Sequence, residues 1–239
     1  MRTVKVEPPA EIGVHEGLSF ALFLPAAEPP ATVVVLHGAG SCKESHFDFA
    51  RACRADGLAA LCFDMRGHGS SEGLLGARAV DDVAAIAALA RSRSGAEAVA
   101  LRGSSMGGYM ALVSAAAAGA RAVVTICPAS AAGLTRGLRD GRLPFRADAP
   151  GLGELLAEHD ELRAAEELRA PLLLLHAEGD EIVPVEHSRA LHVAAAGSRL
   201  VAVPGGHHRS VQHDPELQAL SIRFIRETEG TGPSVSPAQ

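Results

Sequence analysis

Short apolar segments alternate along this chain with longer segments in which apolar residues recur at helical spacing. From Thr32 onward most of the short segments are apolar throughout, which is typical of parallel strands buried on both faces. The alternation predicts an α/β fold with right-handed crossovers between strands. The predicted strands are residues 18–24, 32–36, 59–63, 98–101, 122–127, 172–175 and 199–203, and the predicted helices are residues 43–55, 79–93, 106–118, 186–196 and 215–226.

Three regions depart from this alternation. No helix separates the first two strands, so we expect an antiparallel edge, and residues 4–6 are a further strand candidate. Residues 128–171 separate two strands by more than one short helix requires, which predicts a small cap insertion at about residues 130–170. We therefore expect one domain over residues 1–229, followed by a disordered tail at residues 230–239.

Composition and charge exclude several classes of protein. Hydrophobic residues make up 47% of the 239 residues but aromatic residues only 3%, so the expected core is aliphatic. The net charge of −6 argues against nucleic acid as a partner. The chain has no apolar run long enough for a membrane span and no apolar N-terminal run typical of a secretion signal. We therefore expect a cytoplasmic protein that does not bind membranes.

The clearest chemical signal is Gly103-Ser104-Ser105-Met106-Gly107, which joins a predicted strand to a predicted helix. A serine in such a turn is held on strained backbone with its hydroxyl exposed. It also lies at a helix N-terminus, where the backbone N–H groups favour negative charge. The pattern therefore predicts that Ser105 is a nucleophile.

A second copy of the same pattern, Gly69-Ser70-Ser71-Glu72-Gly73, requires a choice between two serines. This copy lies in a polar, glycine-rich run without a strand directly before it, which indicates a loop. Because the chain contains 25 glycines, a chance copy is unsurprising. Ser105 is therefore the predicted nucleophile, and Ser71 is the alternative.

Candidate partners of Ser105 follow two later strands, at the sheet edge where α/β proteins bind ligands. Asp180 comes just after the strand at 172–175, and the pair His207-His208 follows the strand at 199–203. A serine hydroxyl needs an imidazole to accept its proton, and a carboxylate orients that imidazole. We predict Asp180 and His208 in these roles. The alternatives are that Asp180 merely caps the next helix and that His207 is the base.

The segment after the strand at 32–36 is rich in small residues, which let backbone N–H groups approach a substrate closely. We predict that the N–H groups of Ala39 and Met106 stabilise a developing oxyanion, and that His37 braces this loop. Gly38-Ala39-Gly40 lacks the third glycine of a dinucleotide-binding motif. Neither the histidines nor the four cysteines have the spacing of a zinc site, so we expect no cofactor and no metal.

Taken together, these motifs resemble the α/β-hydrolase fold superfamily of serine hydrolases over residues 18–226. The resemblance implies a mostly parallel central sheet with helices on both faces, a Ser–Asp–His triad and hydrolysis through an acyl-enzyme. The sequences around Ser105 and around His208-Arg209 are similar to those of small esterases, thioesterases and serine-aminopeptidase-like members of the superfamily. The matching residues are His37-Gly38, Asp64-Met65-Arg66-Gly67-His68-Gly69, Gly103 to Gly107, Gly179-Asp180 and Gly206-His207-His208.

The predicted function is hydrolysis of a small-molecule carboxylic ester with a small or medium acyl group. The same triad suits an acyl thioesterase or a peptidase, and a catalytically inactive binding module is the alternative from another class. A final hypothesis concerns residues 130–150 of the predicted cap, where four arginines outnumber two aspartates and would favour anionic substrates. Its alternative is a solvated loop whose charges have no specific role. These arginines are Arg136, Arg139, Arg142 and Arg146.

Overall fold

The computed structural model describes residues 7–230, within which eight strands form a single sheet. Their order across the sheet is β1-β2-β4-β3-β5-β6-β7-β8. β2 pairs antiparallel with β1 and with β4, and all other neighbours are parallel. The strands are β1 Glu11–His15, β2 Leu18–Phe23, β3 Ala31–Leu36, β4 Ala59–Phe63, β5 Ala98–Ser104, β6 Ala122–Ile126, β7 Leu172–Ala177 and β8 Arg199–Val203.

Helices cover both faces of this sheet. α2, α3 and α7 pack on one face, and α1, α8 and α9 pack on the other. A 3-10 turn at Lys43–His46 precedes α1. The helices are α1 Phe47–Ala55, α2 Ala79–Ser94, α3 Met106–Ser114, α4 Ala131–Arg139, α5 Ala149–Glu158, α6 Glu161–Glu167, α7 Val185–Ala194, α8 Ser210–His213 and α9 Pro215–Gly230.

Strand β3 shows why the central strands are apolar throughout. Val34 belongs to the core beneath α2 and α3, whereas Val33 and Val35 belong to the core beneath α1 and α9. Successive strand residues point to opposite faces, and here both faces are covered. All six residues of β3 are therefore buried.

The predicted architecture is confirmed: the seven predicted strands and five predicted helices are present with shifted ends, and the edge is antiparallel. β1 was not predicted, because this edge strand exposes its apolar residues Ile12 and Val14. α3 ends at Ser114 rather than at 118, and α9 continues to Gly230. The strand candidate at 4–6 and residues 231–239 of the predicted tail lie outside the described residues.

Residues 127–171 connect β6 to β7, contain α4, α5 and α6, and are called the cap below. Pro144 of the cap lies against Gly40, and the Phe145 ring centroid is 4.5 Å from that of His68. The hydroxyl of Tyr109 in α3 donates to the carbonyl of His159 at 2.8 Å. The cap therefore packs on loops at the carboxyl ends of the strands. None of the described helices combines the length and hydropathy required to cross a membrane.

Candidate active site

Ser105 occupies the single position between the end of β5 and the start of α3. Its backbone has φ 52° and ψ −119°, a conformation that residues other than glycine rarely adopt. Its N–H donates to the carbonyl of Ile126 at 2.9 Å, and its carbonyl accepts from the N–H groups of Gly108 and Ala129 at 2.9 and 3.0 Å. These bonds from neighbouring elements maintain the strained backbone.

The two outer glycines of the motif are required by close backbone approach. A Cβ atom on Gly103 would lie 2.0 Å from the carbonyl oxygen of Gly107. A Cβ atom on Gly107 would lie 2.2 Å from the carbonyl oxygen of Leu36. Both distances are far below van der Waals contact, so only glycine allows α3 to start this close to β3 and β5.

Asp180 and His208 meet across the loops that follow β7 and β8. The Nδ1 atom of His208 lies 2.7 Å from Oδ2 of Asp180, whose side chain is fully buried. The other carboxylate oxygen accepts from the N–H groups of Ile182 and Val183, each at 2.8 Å. The backbone N–H of His208 donates to Oε2 of Glu181 at 3.1 Å. The orientation of the His208 ring is thus set by its neighbours.

The charge state of this pair follows from its surroundings. Burial raises the pKa of the Asp180 carboxyl, but the Val183 N–H and the His208 ring lower it more, so that its pKa lies below the usual range. The carboxylate is therefore ionised at neutral pH and accepts from Nδ1–H of His208. In the neutral ring, Nε2 is then the atom that can accept a proton.

Ser105 and His208 line one cavity of about 280 Å³, which is called the Ser105 cavity below. No hydrogen bond joins Ser105 Oγ to His208 Nε2 within the described residues. Such contacts are often long without substrate and shorten when it binds. The cavity is lined by Gly38, Ala39, Gly40, Ser41, Cys42, Ser45, Ser104, Ser105, His208, Arg209, Gln212 and His213.

The predicted oxyanion donors lie beside the nucleophile. Met106 is the first residue of α3, so its N–H has no acceptor within that helix. Ala39 lines the Ser105 cavity, and a Cβ atom on its neighbour Gly38 would lie 3.4 Å from Cβ of Ser105. The loop that contains Ala39 and the first residue of α3 therefore both lie beside Ser105.

The His37 ring supports the loop after β3 through both of its nitrogens. Its Nε2 accepts from the Met65 N–H at 3.0 Å, and its Nδ1 donates to the carbonyl of Gly38 at 2.8 Å. Burial lowers the pKa of His37 to about 4, so the ring is neutral at physiological pH. With both nitrogens bonded, His37 braces the loop and holds no proton for transfer.

The two alternative residues are engaged elsewhere. The hydroxyl of Ser71 is buried, donates to the carbonyl of Asp64 at 2.5 Å and accepts from the Ser19 N–H at 2.8 Å. His207 is exposed, and its Nδ1 accepts from the N–H of Arg209 at 3.3 Å. Neither side chain lines the Ser105 cavity.

Two buried cations near the site were not predicted from the sequence. Lys43 donates to Asp64 through Nζ at 2.8 Å and through its backbone N–H at 2.7 Å, which anchors the loop after β4. Arg102 in β5 lies 3.8 Å above the Phe49 ring and donates to the carbonyl of Gln212 in α8 at 3.3 Å. A signal for Arg102 was available, because it is the one charged residue in the apolar segment that precedes Ser105.

One group of side chains has the composition of a metal site. Single ligand atoms of Cys127, His176 and Asp180 lie within 4.8 Å of one another. However, Nε2 of His176 lies 2.9 Å from the carbonyl of Val183 and must donate to it, while Nδ1 pairs with the Ser188 hydroxyl at 2.7 Å. Because both ring nitrogens and Asp180 already have partners, this group serves to support the Asp180 loop.

Comparison with known families shows the family of this chain. Residues 27–146 match the family described as serine aminopeptidase, S33, and residues 156–233 match the family described as TAP-like protein. The chain belongs to the α/β-hydrolase fold serine hydrolases. The first match contains Ser105, and the second contains Asp180 and His208.

Solved structures of other proteins share the fold of this α/β-hydrolase. Est1E from Butyrivibrio proteoclasticus superposes with a TM-score of 0.74 at 21% identity, covering 93% of this chain and all of that one. A monoacylglycerol lipase from Paleococcus ferrophilus superposes with a TM-score of 0.67 at 22% identity, covering 90% and 99% of the two chains. Among curated proteins, the uncharacterized protein YfhR of Escherichia coli O157:H7 is 29% identical over 222 residues, which cover 85% of this chain and 74% of YfhR.

Proposed function

We propose that this hydrolase is a serine esterase that cleaves a carboxylic ester with a small or medium acyl group through an acyl-enzyme on Ser105. The observation that carries the proposal is the Asp180–His208 pair at 2.7 Å, with His208 lining the same cavity as Ser105 on its strained turn. A serine there, with an oriented imidazole beside it, has what nucleophilic acyl transfer requires.

The proposed reaction has two halves. Nε2 of His208 takes the proton of Ser105 Oγ while that oxygen attacks the ester carbonyl carbon, and the N–H groups of Ala39 and Met106 donate to the oxyanion. The tetrahedral intermediate then breaks its bond to the alcohol oxygen, which receives the proton from His208. In the second half His208 deprotonates a water molecule, which attacks the acyl-Ser105 carbonyl. The bond from the acyl carbon to Ser105 Oγ then breaks, Oγ receives the proton from His208, and the acid is released. Asp180 stays ionised and stabilises the imidazolium throughout.

An aminopeptidase activity, suggested by the family description, is less well supported. Recognition of a substrate's free α-ammonium group calls for a carboxylate in the binding cavity. The described lining of the Ser105 cavity includes neither aspartate nor glutamate. The similar structures include Est1E with ferulic acid bound and a monoacylglycerol lipase, which favours an ester as the substrate class. Thioesters react by the same chemistry and remain the second candidate.

Labelling with a fluorophosphonate tests the nucleophile. Intact-mass analysis is expected to show one adduct, and peptide mapping is expected to locate it on Ser105. Ser105→Ala should remove the label, whereas Ser71→Ala, the matched control, should keep it. An adduct on Ser71 or Ser104, or an active enzyme that takes no label, would contradict the assignment.

A substrate panel tests the reaction class. We expect turnover of 4-nitrophenyl esters with short or medium acyl chains, and lower kcat/KM for acyl coenzyme A thioesters and aminoacyl anilides. Higher kcat/KM for thioesters or anilides would replace the esterase with the corresponding alternative while leaving the Ser105 chemistry in place. Absence of both turnover and label would favour an inactive binding module.

A further inference from the structure

The described lining of the Ser105 cavity contains a single permanently charged side chain. Arg209 is the only arginine or lysine among the described lining residues, and no carboxylate lines the cavity. Gln212, His213, Ser41 and Ser45 add neutral polar groups to the wall. In a chain whose net charge is −6, Arg209 is therefore the charged group of this wall that can attract an anion.

Three acidic side chains contact lining residues, and each of them accepts hydrogen bonds from N–H groups of the protein. Asp180 accepts from the His208 ring, and Glu181 accepts from the His208 backbone N–H. Asp48 pairs with Nδ1 of His213 at 3.0 Å and accepts from Nε2 of Gln218 at 2.8 Å. These carboxylates are directed at their partners in the protein, so none of them pairs with the guanidinium of Arg209.

Arg209 differs in this respect from the cap arginines. Its guanidinium is exposed and has no ion pair or hydrogen bond to any described residue. In the cap, Arg139 and Arg142 both pair with Asp140, at 2.9 and 2.5 Å. None of the arginines of the cap lines the Ser105 cavity. The arginines of the sequence-based hypothesis are therefore not part of the wall of this cavity.

We propose that the Ser105 cavity binds an anionic group of the substrate, a carboxylate, through the guanidinium of Arg209. The inference rests on the proposed esterase function and names its substrate class: an ester that carries a carboxylate besides the scissile group. A guanidinium matches a carboxylate with two parallel N–H···O bonds, and Arg209 lies next to His208 in the chain. The Gln212 side chain and the Ser41 hydroxyl line the same cavity, but they already donate to His213 Nε2 and to Ser45 Oγ, at 2.7 and 3.0 Å.

The test compares esters matched in size but not in charge. Monomethyl adipate and methyl hexanoate differ by a carboxylate on the acyl part. Sodium 4-acetoxybenzoate and methyl 4-acetoxybenzoate differ by a carboxylate on the alcohol part. The measured quantity is the ratio of kcat/KM for the anionic ester to that for its neutral counterpart, at low and at high salt.

We expect this ratio to exceed 1 in one of the two pairs, which identifies the part of the substrate that carries the carboxylate. Arg209→Gln should lower that ratio about tenfold or more, since it removes a charge-assisted contact. Arg142→Gln is the matched control and should leave the ratio unchanged. Added salt should lower the ratio for the unmodified protein and have little effect on it in Arg209→Gln.

The outcomes separate this inference from the function on which it rests. If the neutral esters are hydrolysed and Arg209→Gln leaves both ratios unchanged, the esterase proposal stands and the anion site is wrong. An equal loss in Arg142→Gln would also overturn it, because the effect would then be one of general charge. If none of the four esters is hydrolysed and Ser105 takes no fluorophosphonate, both proposals fail.

Discussion

At the scale of single residues, the carboxylate of Asp180 connects the loop after β7 to the imidazole after β8. Three N–H groups donate to its two oxygens, and their combined effect exceeds the cost of burial. This arrangement fixes which nitrogen of His208 carries the hydrogen. The proposed proton transfer therefore depends on an anion that itself never takes up the proton.

We predict that Asp180→Asn lowers kcat by about 10⁴-fold with little loss of folded protein. An amide donates to Nδ1 instead of accepting from it, so Nε2 would carry the hydrogen and no longer act as a base. Steady-state kinetics with a 4-nitrophenyl ester measure the effect, and circular dichroism checks the fold. Glu181→Gln is the control, because Glu181 contacts His208 at its backbone N–H and not at its ring, and most of kcat should remain. The reverse result would move the orienting role to Glu181.

A second prediction distinguishes the adjacent histidines. His208→Ala should reduce kcat by about 10⁴-fold or more and remove the acidic limb of the pH–rate profile, because that limb reports protonation of the base. His207→Ala should retain most of kcat, since its ring is exposed and closes the turn before α8. If His207→Ala is the inactive variant, the base is His207 and the rest of the mechanism stands.

At the scale of elements, the close contact of α3 with β5 and β3 depends on two glycines at the start of α3 and the end of β5. The backbone approaches so closely at Gly103 and Gly107 that an added Cβ would overlap a carbonyl oxygen. The same approach places the start of α3, and with it the Met106 N–H, next to the loop after β3. The close packing of these elements and the proposed oxyanion site are therefore one structural feature.

We predict that Gly107→Ala destabilises the protein by about 3 kcal/mol or more and abolishes activity, because α3 must move to relieve the overlap. Gly153→Ala in α5 is the matched control. A Cβ there meets only Leu138 at 4.0 Å, so the higher helix propensity of alanine should stabilise by about 0.5–1 kcal/mol. Denaturant unfolding gives both values, and a fully stable, active Gly107→Ala would contradict the role assigned to close approach.

At the scale of the whole molecule, several histidines are buried in neutral form. Burial, assisted by the charge of Arg102, lowers the pKa of His46 to about 3, and Nε2 of His46 has no partner among the described residues. His37 behaves similarly, with a pKa of about 4. In the unfolded chain both rings bind protons near pH 6.5. The unfolded state therefore gains protons first as the pH falls, and the folded state loses relative stability.

We predict that the free energy of unfolding is highest above about pH 6.5 and falls between there and about pH 4, by about 1.4 kcal/mol per pH unit for each such histidine. Urea unfolding at pH 7 and pH 5 measures the slope. His46→Leu should reduce it, since it removes one group that only the unfolded state protonates. The exposed His207 serves as the control, and His207→Ala should keep the slope. Equal slopes for all three proteins would show that His46 does not contribute.

Features that depend on residues close together in the sequence could be predicted from the sequence. The alternation of apolar runs and helical periods predicts the α/β layers, because a parallel strand covered on both faces must be apolar throughout. The Ser105 turn is equally local, since Gly103 and Gly107 report its geometry within five residues. β1 escaped prediction because an edge strand buries little, and α8 because a four-residue helix has no measurable period.

Only the tertiary structure decided which side chains meet. Nothing local distinguishes His208 from His207, yet only the former reaches Asp180, because neighbouring residues of a loop point in different directions and β8 pairs with β7. Likewise, Arg139 and Arg142 are paired within the cap, while Arg209 at the Ser105 cavity has no ion pair within residues 7–230. The roles of Ser105, Asp180, His208, Ala39 and Met106 in the reaction remain predictions. Periodicity determines the elements, whereas contacts between distant loops depend on the order and direction in which those elements pack.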